Sequence, residues 1–147
     1  MKSENTFRIL VVEDSELFNQ LLTNQLKWYA GEIIYTKGLD IEIVSYKSVE
    51  QCLANLQEGV DVAFVDYYLN DGKTAMDIIG KIREINLDCR IFIVSQTREV
   101  KSHVDLLRPI EFLYKDQYSL PRICFITEEL MKEKLSRGGY LTEYTIN

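Results

Sequence analysis

Five short apolar runs, separated by stretches with helical spacing, constrain this chain more than any other feature. They occupy residues 7–12, 41–45, 62–65, 90–94 and 110–114. Each is rich in β-branched or aromatic residues and closes on polar residues or Gly, the pattern of strands rather than of helices, and the run 62–65 reads as a strand buried on both faces. Between them, apolar residues recur at i, i+3 and i+4. Leu17, Phe18, Leu21, Leu22, Leu26 and Tyr29 mark the first helical face, capped by Asp14 or Ser15 and ended at Gly31. A long connection over 32–40, turned at Gly38, is expected next. Val49, Cys52, Leu53 and Leu56 give a short second helix stopped at Gly59, and Ala75, Ile78, Ile79, Ile82 and Ile85 a third. Residues 98–107 read as a weak fourth helix bounded by Arg108-Pro109. The last runs from Leu120 or Pro121 to Ser136, with Pro121 suited to a first turn and Gly138-Gly139 to a stop. Such alternation predicts an α/β fold: a five-stranded, doubly wound parallel sheet in three layers, by the right-handed crossover rule.

A chain of 147 residues, 46% of them hydrophobic, is one ordinary domain with enough core to fold unaided. Its net charge of −6 argues against direct nucleic-acid binding, which needs a basic footprint, and is compatible with an acidic site for a divalent cation. Cys52, Cys89 and Cys124 are far apart, form no C-x-x-C pair and lie in apolar contexts. Buried, reduced thiols and a cytoplasmic setting are the expectation. His103, the single histidine, belongs on a helix surface and makes no metal cluster with them. No apolar stretch reaches the roughly 18 residues of a membrane span, and residues 1–6 carry no signal-peptide pattern, so no membrane insertion is expected.

The polar residues that close the strands carry the chemistry. Glu13 and Asp14 follow the first strand, Asp66 the third, Ser95 the fourth and Lys115 the fifth. In a parallel sheet all of them stand at the carboxyl edge, where ligands gather. Singly, each is a cap, a turn former or a solvated lysine. Together they are three carboxylates that repel one another unless a cation intervenes, and Mg2+ prefers a few carboxylates with waters and phosphate oxygens. Lys115 adds a point positive charge and Ser95 a hydroxyl, both suited to phosphoryl oxygens. Asp66, central in the sheet, is the candidate nucleophile, since an aspartyl phosphate is an established covalent intermediate.

The set Ile9-Leu10-Val11-Val12-Glu13-Asp14-Ser15, Val65-Asp66, Ile93-Val94-Ser95 and Phe112-Leu113-Tyr114-Lys115 resembles the receiver domain of two-component response regulators, over about residues 7–136. The resemblance implies a flavodoxin-like (βα)5 fold forming one receiver domain over 1–147, with 137–147 as a tail, frayed or docked. It implies phosphorelay signal transduction. Asp66 would accept a phosphoryl group from a phosphohistidine on a sensor histidine kinase or histidine phosphotransfer protein, with Mg2+. Glu13 and Asp14 resemble the metal-binding acidic pair, and the backbone carbonyl of Tyr68 would complete the metal shell with Asp66. Ser95 resembles the hydroxyl residue that contacts the phosphoryl group, and Lys115 the lysine that pairs with it.

Phe112 stands at the aromatic switch position, or equally is a packed strand residue. Tyr68 and Thr97 match the positions that tune phosphoryl lifetime, and a bulky Tyr68 predicts a long-lived phosphoform. The expected protein is not a turnover enzyme but a phosphoacceptor with self-catalysed transfer and slow autodephosphorylation. It would be a stand-alone, chemotaxis-type receiver acting through protein contacts of its fourth helix, fifth strand and last helix, or a piece of a longer protein. Several residues depart from the pattern. Asp116 replaces the usual proline and predicts a looser loop; Gln96 replaces a small residue and predicts crowding. Asn70 also replaces a proline, Ala75 falls one position late, and the short span from Ser95 to Lys115 predicts a truncated fourth helix. Two other readings compete: a degenerate receiver that binds proteins without phosphorylation, and a haloacid-dehalogenase-like phosphohydrolase, which would want an aspartate where Tyr68 stands.

Overall fold

β1 (Thr6–Val12) and β3 (Val62–Asp66) are buried at every position, as strands covered by helices on both faces must be. The computed structural model describes residues 5–37 and 39–137, and over 32–37 the backbone only. Ten elements alternate: β1, α1 (Glu16–Lys37), β2 (Asp40–Tyr46), α2 (Val49–Asn55), β3, α3 (Met76–Ile85), β4 (Arg90–Ser95), α4 (Arg98–Asp105), β5 (Glu111–Tyr114) and α5 (Ser119–Arg137). The strands are all parallel, in the order β2-β1-β3-β4-β5. The expected doubly wound sheet is therefore present.

Strand alternation divides the core in two. Leu10, Val12, Ala63, Val65, Ile91 and Ile93 face α2, α3 and α4, where they meet Val49, Cys52, Ile78, Ile82 and Val104. Ile9, Val11, Val62, Phe64, Phe92 and Val94 face α1 and α5, against Leu22, Leu26, Ile123 and Met131. Register then fixes the functional edge. Val12 lies level with Val65, so Glu13 and Asp66 each stand one residue beyond that pair. Asp66 is level with Val94, so Ser95 follows at once. Winding reverses between β1 and β3, and the crevice of the sheet opens there.

Several boundaries differ from expectation. Helix α1 does not stop at Gly31 but runs through it to Lys37, so most of the predicted connection is helix; Gly38 lies outside the described residues. A glycine inside a helix costs only about 1 kcal/mol against alanine, too little by itself to end the helix between Ala30 and Glu32. Conversely, α2 ends at Asn55: Leu56 leaves with φ −59° and ψ 129°, and Leu53 is exposed rather than packed. α5 starts at Ser119, a residue early, with Pro121 inside its first turn. α4 has only eight residues, in line with the short span before Lys115. Cys52 and Cys124 are buried free thiols, but Cys89 is only half-buried because it sits in the turn into β4. His103 is exposed on α4, and no described helix is long and apolar enough to cross a membrane. Arg137, read as the first residue of the tail, ends α5, while Gly138, Gly139 and the rest of the tail lie outside the described residues.

Candidate functional site

Glu13 is almost fully buried at the end of β1. Its N–H donates to the Tyr46 carbonyl (3.0 Å), and its Oε2 accepts from the Ser15 N–H (3.0 Å). Ser15, not Asp14, caps α1, since its Oγ accepts from the Phe18 N–H at 3.3 Å and its carbonyl from Asn19 at 2.9 Å. Asp14 is thereby left half-buried beside Asp66. Carboxylate oxygens of Glu13, Asp14 and Asp66 all lie within 4.8 Å of one another. The three sequence-predicted acids thus meet.

Lys115 reaches the same point from β5. Its Nζ pairs closely with Glu13 Oε1 and stands 3.7 Å from Asp66 Oδ2. One ammonium does not balance three carboxylates. Burial above all, then the charge of Glu13 and a hydrogen bond to it, push the Asp66 carboxyl up to about 8, against the opposing pull of Lys115. Three hard oxygen donors, partly buried and short of positive charge, fit a small divalent cation such as Mg2+.

Beside Asp66 opens a cleft of about 200 Å³ lined by Asp66, Tyr68, Ser95, Gln96, Thr97 and Lys115. Ser95 is buried, its carbonyl accepts from the Lys115 N–H (2.9 Å), and its Oγ accepts from the Thr97 N–H (3.2 Å). Thr97 caps α4 without a side-chain bond to it. Tyr68 is 51% exposed, with its ring edge-on to Tyr67 at 4.8 Å. The loop it begins turns through Asp71 (φ 63°) and Gly72 (φ 70°), and the Ala75 N–H returns to the Tyr67 carbonyl at 2.8 Å. Ala75 is fully buried at the start of α3. Gln96 is exposed and lines the cleft. Phe112 is half-buried against the α2–α4 side of the core, edge-on to Tyr114 at 5.0 Å.

The loop after Lys115 is tied down rather than loose. The Asp116 N–H donates to Ser119 Oγ (2.6 Å), that hydroxyl donates to the Tyr114 carbonyl (2.9 Å), and Asp116 Oδ1 accepts from the Tyr118 N–H (2.8 Å). An aspartate turning its own backbone supplies the order that a proline would otherwise give. Two contributors escaped sequence reasoning. Asn19, buried in α1, donates to the Glu13 carbonyl (3.0 Å) and accepts from the Ser45 hydroxyl (2.6 Å), binding the ends of β1 and β2. A polar residue three before Leu22 on the buried stripe was the available signal. Phe18, read only as part of a helical face, stacks under Lys115.

No family profile matches the chain, and no curated protein does. Solved structures do. The response regulator protein TrrA from Thermotoga maritima, in complex with Mg2+-BeF, is 20% identical with a TM-score of 0.65, over 84% of this chain and 98% of that one. The signal receiver domain of an HD domain-containing protein from Pseudomonas fluorescens Pf-5 is 14% identical with a TM-score of 0.66, over 95% of this chain and 96% of that one. This chain has the receiver-domain fold. An adenylate cyclase chain from Rhodopirellula baltica is also similar in structure, at 17% identity and a TM-score of 0.65, over 93% of this chain and 98% of its own. Identities this low establish a shared receiver architecture. Function has to be argued from the site.

Proposed function

We propose that the chain is a phosphoacceptor receiver of a two-component or phosphorelay system, with Asp66 as the acceptor. One observation carries this reading: Asp66 faces a cleft between two further carboxylates and a lysine, beside a buried serine hydroxyl. Glu13, Asp14, Asp66 and the Tyr68 carbonyl would hold Mg2+, which when bound supplies positive charge to the phosphoryl oxygens. The rest falls to the chain itself. Ionised Asp66 attacks phosphorus in line, and the bond to the donor histidine nitrogen breaks. Lys115 offers its ammonium to one phosphoryl oxygen, and Ser95 donates its hydroxyl to another. Ser95 Oγ now accepts from Thr97, so drawing it toward the phosphoryl group pulls on the start of α4. That biases an existing equilibrium in which Phe112 repacks, changing the face made by α4, β5 and α5.

The donor is a sensor histidine kinase or histidine phosphotransfer protein, and the setting cytoplasmic. The chain acts stoichiometrically, with slow autodephosphorylation, rather than as a turnover enzyme. The test is incubation with acetyl phosphate or phosphoramidate plus Mg2+, read by intact mass. A phosphate-sized gain is expected in the wild type and not in Asp66→Asn. Equal labelling of the two, or of neither, would overturn the reading.

A further inference from the structure

Lys115 carries its ammonium on a flexible four-carbon stem, and in this site it has three carboxylates to choose among. Something must decide where it points. Its Nζ lies 4.4 Å from the centroid of the Phe18 ring as well as beside the acids, and its side chain is only 13% exposed. Phe18 is the third residue of α1, half-buried, with its ring packed on the α1–α5 side of the core. Its N–H is held by Ser15 Oγ, in the turn that presents Glu13 and Asp14. The ring is therefore fixed in the same frame as the metal-binding pair. A π face within about 6 Å attracts a cation, more strongly where water is excluded, yet offers it no competing acceptor.

We propose that Phe18 is a positioning residue whose ring face orients the Lys115 ammonium toward the phosphoryl group on Asp66. This rests on the phosphoacceptor reading above. A phenyl ring has no ligand atom for a metal and no donor for a phosphoryl oxygen, so Phe18 acts through Lys115. A purely packing role makes a different prediction, because an aliphatic side chain of similar size would then serve as well.

The full chain is compared as wild type, Phe18→Tyr and Phe18→Leu. Three quantities are read: affinity for beryllofluoride in saturating Mg2+, affinity for Mg2+ alone, and the NMR shift of the Lys115 Cε protons. A cation over a ring gives those protons an upfield ring-current shift in the wild type, kept in Phe18→Tyr and lost in Phe18→Leu. Beryllofluoride affinity is expected to fall roughly three- to ten-fold in Phe18→Leu, to be rescued in Phe18→Tyr, and Mg2+ affinity to stay at the wild-type value in both. Equal beryllofluoride affinity for Leu and Phe overturns the proposal, as does a Mg2+ affinity that falls in step, which would mean a damaged acidic turn. Should Phe18→Leu fail to fold, unshifted Lys115 Cε protons in the wild type still overturn it. Failure of the wild type to bind beryllofluoride or take up phosphoryl, with the ring-current shift present, rejects the phosphoacceptor reading instead.

Discussion

At the scale of single residues, Asp66 controls how the protein responds to pH. Its folded carboxyl titrates near 8, raised by burial and by Glu13, while an unfolded aspartate titrates near about 3.9. The folded state therefore keeps a proton that the unfolded state has lost. Asp66 favours folding in full below about pH 4, and that contribution disappears as pH rises through about 8. With divalent cations chelated, the melting temperature should fall from pH 5 to pH 8, and Asp66→Asn should flatten the fall. The expected gain for Asp66→Asn at pH 8 is on the order of 1–3 kcal/mol, discounted for partial access of water. Calorimetry at the two pH values decides it; a parallel fall in wild type and variant would mean that Asp66 is not the strained group. The acids themselves were legible in the sequence, because each ends an apolar run and the topology of a parallel sheet does the rest. Asn19 and Phe18 were not. Helical spacing marks a position as inward-facing but leaves open which strand end or which lysine it will meet, and those partners lie 26 and 97 residues further along the chain.

Among the elements, α1 shows where local signals mislead. Gly31 reads as a stop because glycine commonly follows a helix. In the structure it is an ordinary helical position, and a Cβ added there would meet nothing within 4 Å. Gly31→Ala should therefore stabilise the fold by about 0.5–1 kcal/mol, through helix propensity and a less flexible unfolded chain. Urea denaturation measures it, and a destabilised variant would mean that the helix is broken at Gly31. At the other end of α1, Asn19 bridges helix and sheet. Asn19→Ala strands the Ser45 hydroxyl and weakens the hold on the Glu13 carbonyl. A loss of about 1–3 kcal/mol is expected, together with weaker Mg2+ binding, since Glu13 is no longer held at the end of β1. Unchanged Mg2+ affinity would confine Asn19 to a structural role. Asp116 shows the opposite failure of inference: the missing proline suggested a loose loop, but serine and aspartate hydroxyl and carboxylate groups order it equally well.

Viewed whole, the molecule keeps its chemistry and a second charged network at opposite edges of one sheet. Glu13, Asp14, Asp66 and Lys115 stand at the carboxyl ends of the strands. At the amino ends, Lys134 of α5 donates to the Thr6 carbonyl and pairs with Asp61 Oδ1 at 3.2 Å. Asp61 also accepts from the Arg8 N–H (2.8 Å), and the Arg8 guanidinium reaches Glu42 at 3.1 Å. Nothing in the residue pattern marks this second network, because Arg8 and Asp61 look like ordinary breaks at strand starts. Both networks hold partly buried charge, but at the carboxyl edge three acids crowd together and the Asp66 carboxyl is pushed up, whereas at the other edge acids and bases alternate. That crowding suits the added cation and phosphoryl group proposed for this edge. Lys134→Met should therefore leave Asp61 with a lost partner and cost about 1–3 kcal/mol, seen as a lower urea midpoint. Well below its melting temperature, the same variant should take up phosphoryl from phosphoramidate at the wild-type rate. A slower uptake there would show that the two edges are coupled through β1 and β3, and that the site depends on charge at the far end of the sheet as well as on its own.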